Sequence, residues 1–335
     1  MTATLRDLGE FELIRAITAR FARGRDVLVG PGDDAAVLAA PDARVVVTTD
    51  LLLEGRHFRR DWSSGVDVGH KAAAQNLADV AAMGARPTGL FVGFAAPGDL
   101  PVDWALALAD GLAAECALAG ASVAGGDISS ADAIMLGVTA LGDLEGRAPV
   151  LRSGARPGDV VVLAGSVGRA EAGLALLTAG RGHDADADVN AGWAGLVSAH
   201  RRPRPPYPLG PALAAAGAHA MCDVSDGLVQ DLGHIAAASQ VRIDLDLAAL
   251  TGLAALTDLT GLAADGPLRS AAAELGADPL DWVLTGGEDH ALVACLPPSA
   301  VIPAGCEQIG LVLPGSGVTL AGRPAVGRGG WNHFA

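Results

Sequence analysis

Four short segments carry the residue types that could do chemistry: Gly32-Asp33-Asp34, Thr48-Thr49-Asp50, Gly125-Gly126-Asp127 and Asp223-Val224-Ser225-Asp226-Gly227. Each sets a carboxylate beside glycine or a hydroxyl residue, and each follows an apolar run. Glycine lets a backbone approach a ligand closely, and hard carboxylate oxygens are what Mg2+ selects. Taken singly, such pairs are ordinary turn chemistry. Together, at the predicted ends of neighbouring strands, they can converge on one site, where the carboxylates would repel unless cations bridged them. The segment 67–83 adds a fifth instance. Lys71, Gln75 and Asp79 recur at four-residue spacing and share one helix face, with Asn76 beside Asp79. A solvated polar stripe is the plain reading. Yet Asp79 stands among alanines, Leu77 and Val80, and a carboxylate so surrounded is more often buried and paired, so it reads as a metal ligand.

Other chemistries are excluded. Gly30-Pro31-Gly32-Asp33-Asp34-Ala35 matches a dinucleotide fingerprint, but Asp33 and Asp34 would repel the pyrophosphate that bare N–H groups should meet. A Walker A loop needs Gly-Lys-Ser/Thr, and of 23 basic residues only Lys71 is a lysine, preceded by His70. The same absence argues against a protein kinase. A formal charge of −15 disfavours nucleic acid and anionic lipid as partners. Cys116, Cys222, Cys295 and Cys306 form no C-x-x-C pair and lie in apolar stretches, which reads as buried reduced thiols in a cytoplasmic protein. The first residues, with Arg6, Asp7 and Glu10, do not read as a signal peptide, and no apolar run approaches the roughly 18 residues of a membrane span.

Positioning these residues falls to an alternation of strands and helices. Apolar periodicity predicts a helix over 10–21, strands at 27–29 and 44–49, and a helix over 67–83 that Gly84 ends and Pro87 keeps from resuming. A strand at 90–95, a helix over 102–118 and a strand at 134–141 follow. The stretch 142–159 is poor in apolar residues and marks a boundary between domains 1–148 and 149–335. Beyond it come a strand at 160–164, a helix over 169–179, a polar loop at 183–188 and a Pro/Arg connector at 201–208. A helix over 208–216, a strand at 219–222, a helix over 227–239 and a strand at 241–245 continue the pattern. The class is α/β (or α+β) in two domains.

Read in order, the segments resemble the thiamine-monophosphate kinase family, in the superfamily that includes aminoimidazole ribonucleotide synthase. The likeness rests on Gly30–Ala36, Thr48-Thr49-Asp50-Leu51, Glu54-Gly55-Arg56-His57-Phe58, Asn76–Ala85, Gly125-Gly126-Asp127, Arg152-Ser153-Gly154, Asp223–Leu228, Gly286-Gly287-Glu288-Asp289 and Gly330–Phe334. The resemblance implies a homodimer of two-domain subunits, with N-terminal strands of both subunits meeting in a barrel. It implies an N-terminal domain for ATP, magnesium and dimerisation, and a C-terminal domain that completes the site. The reaction implied transfers the γ-phosphoryl of ATP to the phosphate of thiamine monophosphate, yielding thiamine diphosphate. Asp33, Thr48, Thr49, Asp50, Asp79, Asp127, Asp223 and Asp226 correspond to the family's magnesium set. Gly126, Asp127, Arg152 and Ser225 correspond to its ATP contacts, and His57, Glu288 and Trp331 to its thiamine-phosphate contacts. Two departures stand out: Ile128 where relatives often carry Thr, and His290-Ala291 where they often carry Tyr-Glu.

The chemistry of the residues agrees. Two polyanionic substrates meet an acidic protein, so cations must lie between them, and phosphoryl transfer asks mainly for alignment and charge neutralisation. The acceptor is an ionised phosphate oxygen, so direct in-line transfer requires no general base. Arg152 suits a bidentate phosphate contact, and Trp331 offers a π-face to the cationic thiazolium. Read without the family, Arg152 is equally a surface arginine, and His57 and Trp331 are ordinary structural residues. Among relatives of the same fold, a selenophosphate synthetase would want an early reactive Cys, and a hydrogenase-maturation protein a C-terminal one. An aminoimidazole ribonucleotide synthase-like ligase and a non-catalytic metal- or nucleotide-binding protein stay open as alternatives.

Overall fold

The computed structural model describes residues 3–31, 35–181, 191–252, 266–325 and 330. It divides into two units, Met1–Val80 with Ala85–Arg147, and Ala81–Gly84 with Ala148–Ala335. The first holds α1 (Leu5–Leu8), α2 (Glu10–Thr18), β1 (Val27–Val29), β2 (Val37–Leu38), β3 (Val46–Leu53), α3 (Gly65–Ala82), β4 (Arg86–Ala96), α4 (Val102–Ala119), β5 (Ser122–Ser130) and β6 (Met135–Asp143). β1 and β2 form a small antiparallel pair, and the other strands form a four-stranded sheet in the order β3-β6-β4-β5. β6 runs antiparallel to both neighbours, and β4 and β5 are parallel.

Along β3, Val46, Thr48 and Asp50 are half-buried while Val47, Thr49 and Leu51 are exposed, the period-two signature of a sheet covered on one face. Helix α3 buries alanines at Ala72–Ala74, Ala78, Ala81 and Ala82, beside Val68, Leu77 and Val80. Its small residues let α4 approach backbone to backbone. A Cβ on Gly69 would stand 2.1 Å from the Leu108 carbonyl oxygen, and one on Gly111 would stand 2.2 Å from that of Val66. His70 Nδ1 lies 2.6 Å from Glu115 Oε2 and ties the same two helices.

Three expectations need correcting here. β3 continues to Leu53, so Thr48-Thr49-Asp50 sits inside a strand and not at its end. Gly125-Gly126-Asp127, which reads as a turn, lies within β5. β3 and β5 are not neighbours but the two edges of the sheet, about 14 Å apart at the usual strand spacing. The cause is β4, which starts at Arg86, runs through Pro87 and takes β5 alongside it in parallel.

The second unit holds β7 (Val160–Ala164), α5 (Arg169–Thr178), α6 (Ala191–Arg201), α7 (Leu209–Ala215), β8 (Ala220–Val224), α8 (Leu228–Ser239), β9 (Arg242–Leu245), α9 (Leu247–Gly252), α10 (Pro267–Leu275), α11 (Pro279–Thr285), β10 (Ala291–Leu296), β11 (Cys306–Leu313), β12 (Gly317–Leu320) and β13 (Arg323–Pro324). Its seven strands take the order β13-β12-β9-β11-β7-β10-β8, antiparallel except between β9 and β12. β8 and β10 are buried at every position. All four cysteines are free and buried. Burial pushes the Cys295 thiol up to about 12 and that of Cys306 up to about 11. Among the described residues, no helix is long and apolar enough to cross a membrane. The predicted loop at 183–188 lies outside the described residues.

Candidate functional site

In the first unit, one stripe of α3 grips β3. Thr48 Oγ1 donates to Asp79 Oδ2 at 2.7 Å, so the strand residue and the helix carboxylate form one group. Asn76, 0% exposed, accepts the Asp50 main-chain N–H on Oδ1 at 3.1 Å and donates Nδ2 to the Ala72 carbonyl at 2.9 Å. The Asp50 carboxylate is thereby fixed by its main chain, on the same sheet face as Thr48. Farther along the stripe, Lys71 is 2% exposed and its Nζ donates to the His57 carbonyl at 3.2 Å. His57 lies in the turn after β3, where its Nδ1 accepts the Leu53 N–H at 3.0 Å.

Thr49 goes the other way. Its hydroxyl donates to the Val138 carbonyl at 2.9 Å and accepts from Thr139 Oγ1 at 3.1 Å on the open face. Asp127 shares that face, in register with Gly93, which is itself in register with Gly137 and then Leu51. Two glycines thus leave a row free of side chains between Asp127 and Leu51. Asp127, Gly126, Gly93 and Phe91 line a cleft of about 870 Å3 that Phe11 and Ile14 of α2 border. Gly126 is obligatory: a Cβ there would stand 2.1 Å from the Val92 carbonyl oxygen. Asp33 belongs to the residues outside the described part of the chain.

In the second unit, paired β8 and β10 bring together two loops far apart in sequence. The Glu288 N–H donates to the Ser225 carbonyl at 2.8 Å and the His290 N–H to that of Val224 at 2.9 Å. Glu288 and His290 both take left-handed backbone, at φ 64° and 52°, uncommon for side chains of this size. The turn re-aims them. His290 Nδ1 stands 3.3 Å from Asp223 Oδ2, and Glu288 Oε2 stands 3.5 Å from His200 Nδ1. Between them, Asp289 accepts the Gly168 N–H at 2.5 Å and the Ala170 N–H at 2.9 Å, capping α5 from outside the helix. Burial pushes Asp289 up to about 7 against those two donors.

Asp223 and Asp226 flank the end of β8, and a third carboxylate shapes the turn between them and α8. Asp231 Oδ2 accepts the N–H groups of Asp226 and Gly227 at 3.0 and 3.1 Å. Burial, and next the Asp223 carboxylate, push Asp231 up to about 7. Burial also raises Glu171, with Glu288 adding to it. Arg152 is exposed, its carbonyl accepts from Ser239 Oγ at 3.1 Å, and its charge is felt at Cys222 beside Asp223. Gly330 abuts the same turn, since a Cβ there would stand 2.1 Å from the Asp226 carbonyl oxygen. Trp331, which follows it, lies outside the described residues.

Hard oxygen donors fit Mg2+: Thr48, Asp50 and Asp79 in the first unit, and Asp223 and Asp226, whose charges press on Asp231, in the second. Among the described residues, no group of three or more His, Cys, Asp or Glu side chains converges on one point. Sequence reasoning misses Asp231 and His200, and names Asp289 only as part of the Gly286–Asp289 segment, without a role. Asp231, four residues after Gly227, is visible only as a polar position on a predicted helix; nothing local marks His200.

The family model for AIR synthase related protein, N-terminal domain, matches residues 32–144, and that for the C-terminal domain matches 156–314. The chain is 50% identical over 337 residues to the thiamine-monophosphate kinase of Mycobacterium tuberculosis, covering 99% of this chain and 93% of the relative. It is 42% identical over 312 residues to that of Corynebacterium glutamicum, covering 92% and 87%. Among solved structures, the thiamine-monophosphate kinase of Stenotrophomonas maltophilia superposes with a TM-score of 0.77 at 34% identity, over 93% of this chain and 95% of the other. AaThiL, complexed with AMPPCP and TMP, superposes with a TM-score of 0.76 at 31% identity over 100% of both chains. By these identities, over nearly its whole length, the chain belongs to the thiamine-monophosphate kinase family of AIR synthase-related proteins.

Proposed function

We propose that the family's reaction, transfer of the γ-phosphoryl of ATP to thiamine monophosphate to give thiamine diphosphate, runs in this chain by direct in-line displacement in a magnesium-carboxylate site. Asp33, Thr48, Asp50, Asp79, Asp127, Asp223 and Asp226 hold the ions. Thr49, whose hydroxyl donates to the Val138 carbonyl and keeps its oxygen lone pairs, joins them as the family pattern implies. Bound there, Mg2+ would neutralise charge between two polyanionic substrates and an acidic protein.

The chain's own groups do the rest. Gly126 and Asp127 border the cleft and receive the nucleotide; Ser225 and the exposed guanidinium of Arg152 meet its phosphates. His57, Glu288 and Trp331 receive thiamine monophosphate. The acceptor oxygen is already ionised, so no side chain need remove a proton. We place the enzyme in the cytoplasm, in line with its four buried free thiols. We further propose a homodimer closed over the open face of the β3-β6-β4-β5 sheet, because Val47 and Leu51 there are each 56% exposed and Met135 is 41% exposed.

The observation that carries the metal reading is the Thr48–Asp79 contact beside Asp50, three hard-oxygen residues that α3 holds against β3. Calorimetric ATP titrations with Mg2+ and with excess chelator test it, alongside turnover of Asp79→Asn. ATP affinity should collapse in chelator, and turnover should fall by roughly 100-fold or more. Equal affinity in both buffers, or wild-type turnover in Asp79→Asn, would overturn it.

A further inference from the structure

Arginine fills every basic position of this chain but one. The exception, Lys71, is 2% exposed. An ammonium carried into so dry a place costs free energy unless it is met by acceptors. One of its contacts is to the main-chain carbonyl of His57, at 3.2 Å.

The ring of His57 is fixed as well. The Leu53 N–H can only donate, so Nδ1 at 3.0 Å is its acceptor, and the neutral ring carries its proton on Nε2. His57 therefore has its carbonyl held by α3 and its ring held by the end of β3. Its Nε2–H is a donor, the polarity a phosphate oxygen needs.

The same helix stripe makes two more contacts, Asn76 to the Asp50 main chain and Asp79 to Thr48. Running back along α3, residues 79, 76 and 71 meet 48, 50 and 57 in turn. One rigid element sets the spacing between the residues read as metal ligands and the residue read as a substrate contact.

We propose that Lys71 is a positioning residue for thiamine monophosphate: it holds the His57 turn so that Nε2–H faces the substrate phosphate, at a fixed distance from the Thr48–Asp50 segment. This rests on the assignment of His57 to the substrate. Steady-state kinetics of the full-length, magnesium-loaded enzyme as wild type, Lys71→Met, Lys71→Arg, His57→Ala and Lys71→Met/His57→Ala test it.

Lys71→Met should raise the KM for thiamine monophosphate roughly 10- to 150-fold, the scale of one charge-assisted hydrogen bond, and leave the KM for ATP within about 2-fold. Lys71→Arg, which keeps a charged donor, should recover most of the loss. In the His57→Ala background Lys71→Met should add less than about 2-fold, because both changes break one linkage. An equal rise of both KM values, or an undiminished effect in the His57→Ala background, overturns the proposal. A raised KM in His57→Ala with none in Lys71→Met overturns the role of Lys71 alone. An unchanged KM in His57→Ala overturns the assignment of His57, and with it the route by which Lys71 acts.

Should Lys71→Met fail to fold, the wild type decides. Lysine labelled with 13C at Cε gives one side-chain resonance in this chain, and thiamine monophosphate should shift it. A resonance indifferent to saturating thiamine monophosphate refutes the coupling.

Discussion

Asn76→Ala separates the fold from the site more sharply than any change to a ligand. The asparagine touches no substrate in the proposed arrangement; it holds Asp50 by its main chain, 0% exposed, with hydrogen bonds of 3.1 and 2.9 Å. Truncation removes two hydrogen bonds, each about 0.5–1.5 kcal/mol net. The Ala72 carbonyl loses little, since a helix carbonyl has an amide partner of its own four residues on. The Asp50 N–H loses its acceptor in a place water reaches poorly, which adds about 1–3 kcal/mol. The sum is about 2–4 kcal/mol, or roughly 3–6 °C in Tm for a chain of this size.

The kinetic consequence is specific. With Asp50 no longer pinned beside Thr48 and Asp79, the magnesium concentration for half-maximal turnover should rise several-fold, while the KM for thiamine monophosphate stays near wild type. Differential scanning calorimetry in chelator and a magnesium titration of turnover measure the two effects separately. A Tm within about 2 °C of wild type, together with an unchanged magnesium requirement, would refute the idea that α3 presents Asp50.

Two further outcomes follow from the first unit. Gly126→Ala forces a Cβ to within 2.1 Å of a backbone oxygen, which cannot swing aside as a side chain can. It should cost about 1–3 kcal/mol of stability and raise the KM for ATP more than that for thiamine monophosphate; equal KM values with an unchanged Tm would count against Gly126 at the nucleotide. Val47→Glu puts a charge on the open sheet face, so light scattering should show a monomer where the wild type is a dimer; a dimer that survives the change places the interface elsewhere.

Periodicity is legible in one dimension, and the site is legible to the extent that it is periodic. The α3 stripe could be read from spacing alone because residues 71, 75 and 79 return to one face of any helix. Its partners on β3 could not. Thr48 and Asp79 are 31 positions apart, and no local pattern says which strand a helix will cover. Gly125-Gly126-Asp127 reads as a turn for a physical reason: glycine is a poor strand former and a good turn former, and only the close passage of β4 makes it necessary there.

The second unit shows the same limit from another side. Gly286-Gly287 announces flexibility in the sequence, yet the left-handed backbone falls on Glu288 and His290, where glycine is absent. Such conformations cost about 1–3 kcal/mol each and persist only where neighbours impose them. Here the Ser225 and Val224 carbonyls and the capped α5 do so, by contacts that span more than 60 positions at His290 and more than 110 at Asp289. A strained turn held from three directions delivers its side chains to fixed places. It puts Glu288 toward His200 and His290 toward Asp223, and so sets an imidazole against a carboxylate of the proposed magnesium set.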